Sequence, residues 1–202
     1  MTHKELILLI NKIKIKSEIL FHILKHFNTV DYQFKKILLS KGYSTDNLNN
    51  QMTIPASKFL KNFAANPYEV LNRVKQNTPS DICVNNNSES GKTEITIIFS
   101  NKDFKDGIGF DRVININKLN KNQIKNLKQI KSESHTITTI KGNPVKTLKL
   151  NIITEQINNN INLITLFPGQ HAPPLPDKHH QSLKNFIISK NYWDKHVFID
   201  PK

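Results

Sequence analysis

The chain has 202 residues, 37% of them hydrophobic, and a formal charge of +13, which points to an acidic partner: nucleic acid, an anionic membrane or an acidic protein. Arg73 and Arg112 are the only arginines, so the charge is nearly all lysine, a bias that drift toward an AT-rich genome also produces. The single cysteine, Cys83, excludes an internal disulfide and a cysteine-rich zinc site.

At the N-terminus the apolar run Leu6–Ile10 is too short for a membrane span and has no small-residue cleavage site. The expectation is no membrane span and no secretory signal peptide. The protein would then be cytoplasmic, or reach a target cell by a route without a cleavable signal. Residues 3–27 read as one helix, with Leu6, Leu9, Ile10, Ile13, Leu20, Leu24 and Phe27 at helical spacing. A second helix is predicted over 31–41, stopped by Gly42. The polar stretch 43–52 reads as a linker, and short helices follow near 55–64 and 67–77, each with a proline in its first turn.

From residue 80 the period changes to two. Residues 85–91 read as a flexible loop and 94–99 as a strand, with Ile95, Ile97 and Phe99 on one face. After the turn Gly107-Ile-Gly109 comes a short strand at 111–116, then a lysine-rich helix over 118–131. Strands are predicted near 135–140, 145–154 and 161–167, a helix around 178–189 and a last strand at 196–199. Helices before an antiparallel sheet make this α+β, with N-terminal helices followed by a small antiparallel sheet and flanking helices. The expected division is a helical region over 1–52 and an α+β domain over 53–202.

Several groups of residues could carry chemistry. Ser90-Gly-Lys-Thr93 ends like a phosphate-binding loop, but Asn86 stands where that motif requires glycine, and a strand follows where it requires a helix. His22 and His26 share a helix face at i, i+4 without a nearby Glu or Cys, which favours plain surface placement. Five of the eight histidines (His135, His171, His179, His180 and His196) lie in the last third of the chain. Imidazole titrates near neutrality, so two of these could act as a general base and a general acid. His171, Asp177, His179 and His180 have zinc-ligand types but match no zinc spacing. Between 114 and 150, Lys118, Lys121, Lys125, Lys128, Lys131, Lys141, Lys146 and Lys149 face only Glu133. Lys118, Lys121, Lys125, Lys128 and Lys149 could form a phosphate-binding surface, while a solvated helix face is the alternative reading of Lys121, Lys125 and Lys128. Trp193 reads as a core anchor before a base-stacking platform.

The strand near 161–167 runs into Pro168, the first of four prolines through Pro176, so a stiff ledge should end it. Thr165 is expected on the same face as Leu163 and Phe167. Thr165-Leu-Phe-Pro168 resembles the Thr-x-aromatic-Pro strand ending of the barnase/EndoU-like ribonuclease toxins of bacteria. The resemblance covers at most residues 80–202. It departs from the family in that a helix and another strand follow.

The resemblance implies RNA cleavage that needs no metal or other cofactor. His135 or His196 would be the base, His171 or His196 the acid, and Lys141 or Lys146 with the Thr165 hydroxyl would steady the phosphorane. DNA, lacking the 2′-hydroxyl, would be inert. RNA, and an immunity or inhibitor protein, are the partners so implied. The rival expectation is a non-enzymatic protein whose lysine-rich 118–149 face binds nucleic acid or another partner; a third is an effector enzyme with a small-molecule pocket at the proline ledge.

Overall fold

The computed structural model describes residues 1–54, 56–87, 91–131, 136–177, 179 and 181–200. It is an α+β fold in which helices come first and mostly antiparallel strands later. In chain order the first elements are α1 (His3–Ile10), β1 (Ile13–Lys14), α2 (Ser17–Ile23), α3 (Tyr32–Ser40), α4 (Thr45–Thr53), β2 (Lys58–Phe59) and α5 (Pro67–Gln76). Next come β3 (Asp81–Asn87), β4 (Lys92–Ile98), β5 (Gly109–Asp111), β6 (Val113–Asn115), α6 (Lys121–Lys125), β7 (Lys128–Lys131) and β8 (Thr136–Lys141). The last are β9 (Val145–Thr147), β10 (Lys149–Ile157), β11 (Asn160–Pro168), α7 (Leu183–Trp193) and β12 (His196–Asp200), and 3-10 turns cover Leu24–His26 and Ile116–Lys118.

Two compact units partition the chain: Met1–Phe110 with Lys146–Gly169, and Asp111–Val145 with Gln170–Lys202. Residues 1–52 do not stand apart. Leu6, Leu20, Leu24, Phe34 and Leu48 share one core with Ile95, Ile97, Leu150, Ile152, Leu163 and Leu166 of the strands.

In the first unit, local signals explain several departures from the expected elements. The helix predicted over 3–27 is three pieces. Thr2 and Glu5 form a capping box that opens α1. The chain then turns at Asn11 and Lys12, and Ile13–Lys14 pairs in parallel with Ile161 and Asn162 of β11. The sheet edge outbids the helix there, aided by the β-branched Ile13 and Ile15. α3 forms as predicted, with Asp31 accepting from the Phe34 amide at 2.7 Å and Gly42 at φ 91° beyond its end.

The linker expected over 43–52 is the helix α4. Ser44 and Asn47 cap it reciprocally, and Leu48 anchors it. The helix expected over 55–64 is absent from the described residues; Lys58 and Phe59 instead pair antiparallel with Phe110 and Gly109 in a three-stranded sheet of order β2-β5-β9. Tilted, stacked and edge-on contacts run through Phe27, Phe59, Phe63, Phe99 and Phe104 with centroids 5.0–5.8 Å apart.

The main sheet of this unit has the order β1-β11-β10-β4-β3. Part of the loop expected over 85–91 is strand, since Asn85, Asn86 and Asn87 pair with Glu94, Thr93 and Lys92; residues 88–90 lie outside the described ones. Ile153 pairs with Thr165 but Thr154 pairs with Leu163, so Ile164 is the extra residue of a bulge. That single insertion puts Leu163 and Leu166 on the core face and moves Thr165, with Phe167, to the other. The expected common face of Leu163 and Thr165 is therefore corrected.

The second unit contains a four-stranded sheet of order β6-β12-β8-β7. β12 pairs antiparallel with β6 and parallel with β8. The helix expected over 118–131 is a 3-10 turn, the short α6 and the strand β7, because its apolar stripe is too thin to hold a long helix to a core. Leu119, Ile140, Val197 and Ile199 form the small core of this unit, with Ile114, Ile116 and Leu127 against it.

Candidate functional site

β12 begins only two residues, Asp194 and Lys195, after α7 ends, and that junction places His196. The last carbonyls of a helix lack intrahelical donors. The Tyr192 carbonyl, in the final turn of α7, accepts from His196 Nδ1 at 2.8 Å. A carbonyl only accepts, so Nδ1 carries the proton and the lone pair of the neutral ring sits on Nε2. The Tyr192 ring stacks on the imidazole at 3.9 Å and 5°, and Asn115 Nδ2 reaches Nε2 at a long 3.4 Å. His196 is half-buried, held on three sides with its tautomer fixed.

Register extends the surface beyond His196. Phe198 pairs with Val113 and Thr139, Thr139 pairs with Lys128, and Asp200 pairs with Lys141. Side chains two apart along a strand share a face, so Asn115, His196, Thr139, Lys128 and Lys141 belong to one side of this sheet. Lys128 and Lys141 are exposed there, and Thr139 is buried. The Trp193 ring stacks on Phe198 at 4.7 Å, and its Nε1 donates to the Pro173 and Pro174 carbonyls at 3.0 and 3.2 Å. Trp193 is thus a packing anchor that pins the proline ledge.

Other groups of this unit were not singled out by the sequence. The Tyr192 hydroxyl is buried without a hydrogen-bond partner, and burial, then Asp111, pushes its pKa up to about 12. Asp111 accepts from the Val113 and Gln170 amides at 3.0 and 2.8 Å. Burial pulls the half-buried Arg112 guanidinium below its usual value, with Asp200 opposing.

The expected residues are distributed between the units. Lys118, Lys121, Lys125, Lys128, Lys141, His171 and His196 lie in the second, and all but His196 are exposed. Lys128 stands on a strand, so it does not share a helix face with Lys121 and Lys125. Thr165, Lys146 and Lys149 belong to the first unit. The Thr165 Oγ1 is buried with no hydrogen-bond partner, so it is not presented to a ligand. Lys146 pairs with Asp106 at 3.0 Å, both side chains exposed, and Lys149 is half-buried on β10. His135 lies outside the described residues, as does His180 of the zinc candidates; among the described residues no three His, Cys, Asp or Glu side chains group for a metal. Among those residues, too, no helix is long and apolar enough to cross a membrane.

The first unit holds a second concentration of titratable groups; the sequence reading placed His22 and His26 on the surface, and the structure leaves His22 exposed but buries His26. Lys58 is buried at 6% exposure, and its Nζ donates to the Lys25 and Met52 carbonyls, each at 2.6 Å. His26 is buried at 7% exposure; its Nδ1 donates to the Ser57 carbonyl at 2.9 Å, and its ring lies 5.5 Å from that of Phe167. Burial, reinforced by Lys25, holds His26 well below the ordinary histidine value. Burial also lowers Lys25. His22 is lowered by burial and Lys25 as well, but it keeps an exposed edge, and contact with water makes it the weaker of the two histidines. Two open cavities, of about 200 and 310 Å³, are lined by first-unit residues including Asp31, Asn66 and Tyr68 in one and Ile10, Ile13 and Tyr68 in the other, none from the proline ledge.

Compared with known family models, curated proteins and solved structures, the chain matches none.

Proposed function

We propose that the second unit acts on RNA as a metal-independent endoribonuclease, with His196 as its general base. The observation that carries this reading is the fixing of His196. Its Nδ1–H is spent on the Tyr192 carbonyl and its ring is stacked, so Nε2 is a positioned proton acceptor on a sheet face that also bears Lys128 and Lys141. His196 Nε2 takes the ribose 2′-hydroxyl proton as that oxygen attacks phosphorus. The 5′-oxygen leaves with a proton from an acid, a role that falls to His171, and a 2′,3′-cyclic phosphate remains. Lys128 and Lys141 balance the charge that develops on the phosphorane oxygens.

The test is incubation of the protein with total RNA and with DNA, each with and without EDTA. RNA is cleaved in both conditions and DNA in neither. His196→Ala loses at least about 100-fold in rate, the lower end of what a general base supplies, while RNA binding in a gel-shift assay persists. RNA left intact by excess wild-type protein overturns the reading. Salt-sensitive binding alone would then leave the lysine face as a binding surface.

A further inference from the structure

We propose that His26 is an acid-operated lock on the first unit: its protonation loosens the junction where α2, α4, β2 and β11 meet. The inference is independent of the RNA reading. The 3-10 turn Leu24–His26 contacts all four of those elements. Its His26 ring is buried and lies near Phe167 of β11, with Nδ1 committed to the Ser57 carbonyl just before β2. The charged groups around it have one sign. Lys25 and His22 act on it from its own helical stretch and Lys58 from β2. α4 brings the Met52 carbonyl and Gln51, which donates to the His22 carbonyl at 3.1 Å. No carboxylate acts on His26 among the described residues.

A proton added to Nε2 therefore creates a further cation beside Lys25 and Lys58, out of water and with no carboxylate acting on it among the described residues. A neutral His26 is tolerated there; an imidazolium is not. The sign follows from linkage. The folded value lies below that of the unfolded chain, so the opened state binds the extra proton. The junction is fully closed above the unfolded value of about 6.5 and loses stability as pH falls below it.

Hydrogen exchange of residues 17–59, corrected for the intrinsic pH dependence of amides, reads the opening directly. One proton taken up on opening raises the opening equilibrium about 25-fold between pH 7 and pH 5. In a His22→Gln background, which removes the other lowered histidine of this segment, His26→Asn retains a donor for the Ser57 carbonyl and leaves no lowered imidazole, so exchange should change less than about threefold over the same range. His22→Gln alone should keep the roughly 25-fold response that the His26 proton gives. Should the Asn variant fail to fold, an NMR titration of the wild-type ring decides. A His26 resonance that titrates near 6.5 with the junction intact overturns the lock, as does an opening equilibrium that does not change between pH 7 and 5. A His26 resonance that stays neutral until the junction opens supports it.

Discussion

Lys58→Met is the sharpest probe of the first unit. Lys58 is almost without solvent contact, yet its ammonium donates at 2.6 Å to two carbonyls that no helix hydrogen bond satisfies. Those carbonyls, of Lys25 and Met52, belong to the Leu24–His26 turn and to the last turn of α4. The cation therefore caps two helix C-termini at once. Methionine fills a similar volume but donates nothing. Two charge-assisted hydrogen bonds at about 1.5–3 kcal/mol each set a gross loss of about 3–6 kcal/mol. Part is returned, because methionine does not have to strip water from an ammonium. A net loss of about 2–4 kcal/mol remains, which at a slope near 2 kcal/mol per molar moves a urea midpoint down by about 1–2 M. Urea unfolding followed by far-UV circular dichroism measures it, and hydrogen exchange should place the loosening at α4 and the Leu24–His26 turn. A midpoint unchanged or raised would show that the ammonium is a buried burden with no structural role.

Three more changes test other parts of the structure. Gly109→Ala sets a Cβ 2.6 Å from the Lys58 carbonyl oxygen and 2.7 Å from Pro168 Cβ and Cγ, so a thermal melt should show a loss of at least about 1–3 kcal/mol. Thr165→Val replaces a buried hydroxyl that has no partner; stability should hold or rise by up to about 1 kcal/mol, with RNA cleavage unchanged in the same assay that tests His196. Tyr192→Phe removes the other unpartnered hydroxyl and keeps the stack on His196. Its thermal midpoint should not fall, and a clear drop would show that the hydroxyl is satisfied in solution.

Elements with their own caps and period were legible in the sequence. α3 and α5 announce themselves through Asp31 and through Asn66 followed by Pro67, and the strands β4, β10 and β11 through alternating or continuous apolar runs. α4 was not legible from composition, since its only buried residue is Leu48 and its signal is the short Ser44–Asn47 cap. The break after Ile10 depends on the distant edge of β11, and periodicity carries no information about that partner. The Ile164 bulge is the same kind of gap: one extra residue, set by pairing with β10, reverses the face of Thr165.

The site divides along similar lines. His196 stood out as a histidine, but its orientation depends on an i, i+4 contact that spans the end of α7 into β12. His26 looked like a surface histidine because its own helix could not reveal that α4 and β2 close over it.

The strand order β6-β12-β8-β7 also has a consequence in time. β12 is the last of these strands to be synthesised, yet it lies between β6 and β8 and supplies Val197 and Ile199 to the small core. Until residue 200 has left the ribosome, β6 has no neighbour in this sheet and β8 pairs only with β7. The strands and helices of the first unit are by then all made. A nascent chain can thus possess its larger core while the four-stranded sheet is still in two parts, and His196 is among the last residues added before that sheet can close.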